Sequence, residues 1–184
     1  MQDQALAFLD TIDATERASL SLYDPAWHQG VIGILASRVK DKLHRPVIAF
    51  ARGSAGELKG SGRSIPGLHL RDALDLVSKR APGLLLRFGG HAAAAGLTLR
   101  EADLGRFEAL FEQAVQGLVS PADLTRTIET DGALEAGWMS LESARLLERE
   151  IWGQGFPAPL FSDEFDVDKQ RILKDRHLKL TLRK

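Results

Sequence analysis

Cysteine is absent from the 184 residues, which excludes disulfides and thiolate metal sites. No apolar run is long enough to span a bilayer, and no secretory leader opens the chain, so a cytoplasmic protein is expected. The sequence contains no Walker P-loop, no Rossmann dinucleotide fingerprint and no Ser-His-Asp arrangement. Its aspartates are scattered, mostly on expected helix faces, with no Asp-rich or Asp/His cluster of the kind that holds a metal. A nucleotide-cofactor fold, a serine hydrolase and a self-contained metal centre therefore have no support in these residues.

What is present is ordinary in bulk and uneven in detail. Hydrophobic residues make up 44% and charged residues 27%, as in soluble globular proteins. The net charge of −1 conceals three blocks. Residues 52 to 91 hold seven Lys/Arg against three Asp/Glu. Residues 101 to 168 hold four against fifteen, and residues 169 to 184 seven against one. A basic middle beside an acidic stretch suggests an anion-binding face set apart from a solvated one, although simple surface patchiness explains the charges equally well.

Periodicity predicts alternating strands and helices as far as residue 119. Leu6, Leu9 and Ile12 carry helical spacing over residues 1 to 16. "SLSLY", "RPVIAFAR", "ELKGSGRS", "LLLRF" and "AGLTLR" read as strands. "GVIGILASRVKDKL", "HLRDALDLVSKR" and "EADLGRFEALFEQAVQGL" read as helices, the last with Leu104, Phe107, Leu110, Phe111 and Val115 on one face. The expected fold is α/β, with a central sheet covered by helices on both faces. Ser120-Pro121 marks a boundary. Beyond it, "TRTIET" is expected as a strand, "SLESARLLEREI" as a helix, and residues 161 to 184 as two strands around Lys174-Asp175-Arg176. So thin a second domain, with a strand running to the last residue, is expected to be incomplete.

Three clusters carry chemistry. In "KGSGRS", Ser61, Gly62, Arg63 and Ser64 combine open backbone amides, hydroxyls and a guanidinium that fits phosphate oxygens. On an extended strand Ser61 and Arg63 share a face. A glycine-rich edge strand with an incidental arginine accounts for the pattern equally well. In "FGGHAAAAG", Gly89 and Gly90 allow a ligand to approach, and His91 heads a small-residue segment that a helix start would explain. A lone histidine usually serves a local turn; one bracketed by glycines and alanines points to function. In "WHQGVIG", Trp27 fits core or interface better than base stacking, and His28 is left open. Phosphate binders without metal ligands look like half of a phosphoryl-transfer site.

The order "WHQGVIGILASR", "LKGSGRSIPGLHLRDAL", "RFGGHAAAAGLTL" resembles the RecJ family of single-strand-specific exonucleases, within the DHH/DHHA1 phosphoesterase superfamily. "WGQGFPAPLF" and "RHLKLTL" resemble the OB-fold domain of that family. The resemblance implies a linker-helix end over 1–18, a DHHA1 domain over 19–119 and an incomplete OB fold over 120–184. It implies 5′-to-3′ degradation of single-stranded DNA in repair and recombination, by a metal-dependent phosphodiester hydrolase using Mn or Mg. The Asp-His-His motif of its DHH domain is absent here, so this chain alone is expected to be inactive and its own metal ligands none. Ser61, Gly62, Arg63 and Ser64 would grip the terminal phosphate, while Gly89, Gly90 and His91 would face the metal centre, His91 steadying the scissile phosphate. The basic residues from Lys169 to Lys184 would guide the strand. Single-strand-binding protein and a helicase are the implied partners. Two other readings remain. One is a non-catalytic nucleic-acid-binding module, as in alanyl-tRNA synthetases. The other is part of a small-oligonucleotide or cyclic-dinucleotide phosphodiesterase, against which the OB-like residues argue.

Overall fold

The computed structural model describes residues 17–184 apart from positions 55, 154 and 155, so the helix expected over residues 1 to 16 lies outside it. The chain forms two compact units that meet in sequence at Arg126 and Thr127. The first is a five-stranded sheet in the order β1-β2-β3-β5-β4. Its strands are β1 (Leu20–Tyr23), β2 (Val47–Arg52), β3 (Glu57–Arg63), β4 (Arg87–Gly90) and β5 (Ala94–Arg100). β1 and β2 run parallel and the remaining pairs antiparallel. Helix α1 (Gln29–Leu43) makes the crossover from β1 to β2.

β2 is apolar at nearly every position because both its faces are covered. Val47, Ala49 and Ala51 join Ile32, Leu35, Ala36 and Val39 of α1 on one side. Ile48 and Phe50 join α2 (Leu70–Arg80) and α3 (Leu104–Gln116) on the other. Phe107 of α3 is fully buried, edge-on to Phe50 (5.5 Å, 82°) and stacked on Phe111 (5.5 Å, 11°). Glu112 ties α3 to the start of β1 by accepting from the backbone N–H of Ala18 and Ser19 at 2.8 Å each, and from Ser19 Oγ at 2.5 Å.

Two expectations shift. The fourth strand is Arg87–Gly90 rather than "LLLRF". Gly83 turns the chain at φ 83°, and Leu84 and Leu85 drop into the core before pairing with β5 begins. His91 does not start a helix. It sits in the hairpin turn between β4 and β5, and the first of the following alanines to enter the ladder is Ala94.

Tyr23, Arg52 and Glu101 lock the far end of the sheet. The Tyr23 hydroxyl donates to Glu101 Oε1 at 2.6 Å, and Arg52 Nε donates to the Tyr23 oxygen at 3.1 Å. The tyrosine hydrogen bond holds the Glu101 carboxyl below its ordinary range, and the same bond raises the Tyr23 phenol. A carboxyl with a depressed folded-state pKa adds stability above its unfolded pKa and loses it as pH falls through the folded value. Tyr23→Phe should therefore melt below wild type at neutral pH. The gap should close as acid takes the pH through and below the carboxylate range, in thermal melts run across pH.

The second unit holds α4 (Leu141–Arg149) and a ribbon of β6 (Asp166–Leu173) and β7 (His177–Arg183). "TRTIET" is not a strand: it has no ladder partner among the described residues, and Ile128 is exposed. Ser140 caps α4 by accepting from Ser143 N at 3.2 Å. The ribbon turns through Lys174 and Asp175, both left-handed at φ 50° and 52°. Its register pairs Ile172 with Leu178 and Val167 with Leu182 on one face, and Arg171 with Lys179 and Lys169 with Thr181 on the other. No described residue from 127 to 184 is buried.

Candidate nucleic-acid interface

Alternation along β3 builds the site. Leu58, Gly60 and Gly62 point into the core beneath α2 and α3, and Lys59, Ser61 and Arg63 point to the other side. The glycines are steric necessities. A Cβ at position 60 would lie 2.7 Å from the Phe50 ring and 2.9 Å from Leu97, and one at position 62 would lie 2.7 Å from Leu70. On the α1 side, the helix covers β1, β2 and part of β3, and an open groove of about 410 Å³ remains over β3, β5 and β4.

The register aligns this face of the sheet in rows, of which the groove covers the Ser61 and Lys59 rows. Arg63 pairs with Ala94, whose carbonyl accepts from His91 N at 2.8 Å. Ser61 pairs with Gly96 and Gly96 with Gly89. Lys59 pairs with Thr98 and Thr98 with Arg87. Arg63 and His91 thus stand in one row, two strand spacings or roughly 10 Å apart, a gap an arginine side chain can largely bridge. In the next row, beside Ser61, the floor is bare: a Cβ at Gly89 would meet nothing within 4 Å, and one at Gly96 only Gly60 O at 3.8 Å.

Each group is held in place. Arg63 Nη1 donates to Gly62 O at 2.8 Å and to Ser61 Oγ at 3.3 Å. His91 Nδ1 accepts from Ala93 N at 3.3 Å, so in the neutral ring the proton belongs on Nε2, which can face a ligand. The turn itself is pinned from below, because Ala92 O accepts from Leu70 N and Ala93 O from Ser64 N, each at 2.9 Å. Gly90 closes it at φ 140°, where a Cβ would come within 2.3 Å of Ala94 O.

Two of the expected phosphate ligands do not reach this face. Gly62 points into the core. Ser64 is buried, and its hydroxyl donates to Leu68 O at 2.8 Å. The Ser64 hydroxyl is therefore not presented on the face that carries Ser61 and Arg63. Trp27 packs against the α1 core cluster, which fits its structural reading. His28 caps α1 by accepting from Gly30 N at 3.1 Å. Sequence reasoning missed Gly33, where α1 passes close to the two side chains: a Cβ there would stand 3.2 Å from both Arg63 Nη2 and Ser61 Oγ. The "GVIG" spacing was the available signal. It also missed Lys59, Thr98 and Arg87, although the alternation of "ELKGSGR" already set Lys59 beside Ser61 and Arg63.

Residues 16–117 match the DHHA1 domain family, and residues 130–184 match the RecJ OB domain. The chain is 47% identical over 184 residues to the single-stranded-DNA-specific exonuclease RecJ of Escherichia coli strain K12, covering 98% of this chain and 32% of that protein. The Salmonella typhimurium exonuclease of the same name matches at 47% over the same share. The chain thus spans about a third of the length of these relatives. A crystal structure of RecJ from Thermus thermophilus in complex with Mg2+ superposes with a TM-score of 0.75 at 33% identity, over 98% of this chain and 28% of that one. The same protein is known in complex with Mn2+, so divalent metals belong to the family. The described residues of this chain do not fit such an ion. No three His, Asp or Glu among them gather closely enough to hold one, and Glu57, beside the groove on β3, is paired with Lys59 at 3.1 Å. Cationic and hydroxyl donors on a bare floor suit an anion. Domain order, identity along almost the whole chain and the superposition agree: the chain belongs to the RecJ family, as a DHHA1 domain joined to a RecJ OB domain.

Proposed function

We propose that this chain is the substrate-gripping part of a single-stranded-DNA-specific 5′-exonuclease, with the DHHA1 part at 19–119 and the OB part at 120–184. The observation that supports the reading is the row of Arg63, Ala94 and His91, running from β3 across β5 to the β4–β5 turn, beside a row whose Gly96 and Gly89 carry no side chains. Arg63 and Ser61 hold the 5′-terminal phosphate by charge-assisted hydrogen bonds. His91, with Nε2 free to donate, steadies the phosphate to be cleaved. The metal ions and the residues that bind them belong to the rest of the enzyme, which works in the cytoplasm with single-strand-binding protein and a helicase. The basic face of the β6–β7 ribbon, with Lys169, Arg171 and Lys179, contributes electrostatic guidance.

Binding of 5′-phosphorylated and 5′-hydroxyl oligothymidylates tests this. The phosphorylated strand should bind more tightly, and its log affinity should fall with log salt by about 0.7 per phosphate contact. Equal affinity for the two ends would remove the end-gripping role. With Mn2+ and a 5′-phosphorylated strand, the chain alone should release no nucleotides; robust cleavage would mean that its own residues complete a metal site. The small-oligonucleotide phosphodiesterase reading is weakened by the RecJ OB match over residues 130–184. A purely non-catalytic binding module is distinguished by joining the chain to the remaining part of a RecJ relative and assaying for turnover.

A further inference from the structure

The groove has a second charged row that the end-gripping role does not use. Lys59, Thr98 and Arg87 lie side by side across β3, β5 and β4 on the same open face as Arg63 and His91. Four residues of strand separate the two rows, a rise of about 13 Å, too far for one phosphate to touch both. Between them runs the row of Ser61, Gly96 and Gly89, where the two glycines leave the floor bare. The groove continues from this middle row to the second charged one, and its lining includes Ser61, Gly96, Lys59, Thr98 and Arg87.

We propose that Lys59, Thr98 and Arg87 form a subsite for an internal phosphate of a single strand whose 5′ phosphate is held by Arg63 and Ser61. The proposal rests on the end-gripping reading and extends it along the strand. Arg87 is exposed, with its guanidinium fork available to two phosphate oxygens. Lys59 Nζ donates to Thr98 Oγ1 and to Glu57 Oε2, each at 3.1 Å. An ammonium has three donors, so one remains for a ligand, and these contacts orient it. Thr98 is buried, and its oxygen accepts from Lys59 while its own proton is free to donate. Glu57 neutralises part of the charge, which leaves Arg87 as the principal cation of this row. Two anion sites in line, separated by a floor that a sugar and base can lie on, recognise a polymer. A mononucleotide occupies only the first.

The test measures the affinity of the full chain for thymidine 5′-phosphate and for 5′-phosphorylated oligothymidylates up to the hexamer. In the wild type, affinity should rise once the strand is long enough to reach the second row. Arg87→Ala should leave the mononucleotide unchanged and weaken the hexamer about ten- to a hundredfold, as loss of one charge-assisted contact requires. Its salt slope for the hexamer should be shallower by about 0.7. Unchanged thermal melting checks that the variant folds. If Arg87→Ala weakens no length, or weakens the mononucleotide as much as the hexamer, the second subsite is wrong. Arg63→Ala separates the two claims. Loss at every length supports the end grip on which the proposal stands, and a length-dependent loss from Arg63→Ala overturns the order of the two sites.

Discussion

Phe107→Ala should lower the unfolding free energy by about 3–5 kcal/mol, the range for removing a buried aromatic ring. The ring has no solvent exposure, and it sits between Phe50 of the central strand and Phe111 one turn along its own helix. Truncation would leave a void at the junction of β2, α3 and the space that Gly60 keeps clear for Phe50. The neighbours cannot readily fill it, because α3 is anchored to Ala18 and Ser19 through Glu112. Urea denaturation monitored by circular dichroism would read the loss. Leu146→Ala on α4, at a 58% exposed residue, is the control and should change stability by no more than about 0.5 kcal/mol. A loss below about 1 kcal/mol at Phe107 would contradict its place as a packed core residue.

The same strands explain why much of this architecture was legible in the sequence and part of the site was not. Helix periodicity identified α1, α2 and α3, and the continuous apolar run "VIAF" identified β2, because covering both faces of a strand removes any need for polar positions. The "RFGGHAAAAG" stretch is ambiguous by itself, because small residues suit a helix start as well as a tight hairpin. Only the pairing of Gly89 with Gly96 and Gly90 with Ala95 decides between them, and that pairing depends on the rest of the sheet. Ser64 has the chemistry of a hydroxyl donor to phosphate, but strand β3 ends at Arg63 and the serine turns inward to Leu68 O. "TRTIET" has strand-like composition, but strand propensity acts through neighbours, and none of the described residues pairs with it. Arg87 was invisible as a site residue because nothing local links it to Lys59; the link passes through Thr98 on the strand between them.

Arg63→Ala should weaken binding of a 5′-phosphorylated single strand by about 1.5–3 kcal/mol, the contribution of a hydrogen bond to a charged group. That is roughly ten- to a hundredfold or slightly more in Kd, with little change for a 5′-hydroxyl strand. The selectivity follows from where the side chain stands. It lies on the side of β3 away from the core, so its removal opens no cavity under α2 and α3. Its contacts to Gly62 O and Ser61 Oγ are made through Nη1, and the guanidinium retains other N–H groups for phosphate oxygens. Arg63→Lys gives the sharper reading. It keeps the positive charge and loses the planar fork, so long-range attraction should persist while the end preference falls to an intermediate value. If the lysine variant matches wild type, net charge alone accounts for the binding. If Arg63→Ala weakens phosphorylated and unphosphorylated ends equally, the residue contacts the strand without reading its end, and the row of Arg63, Ala94 and His91 is a general track for the backbone instead of a terminus.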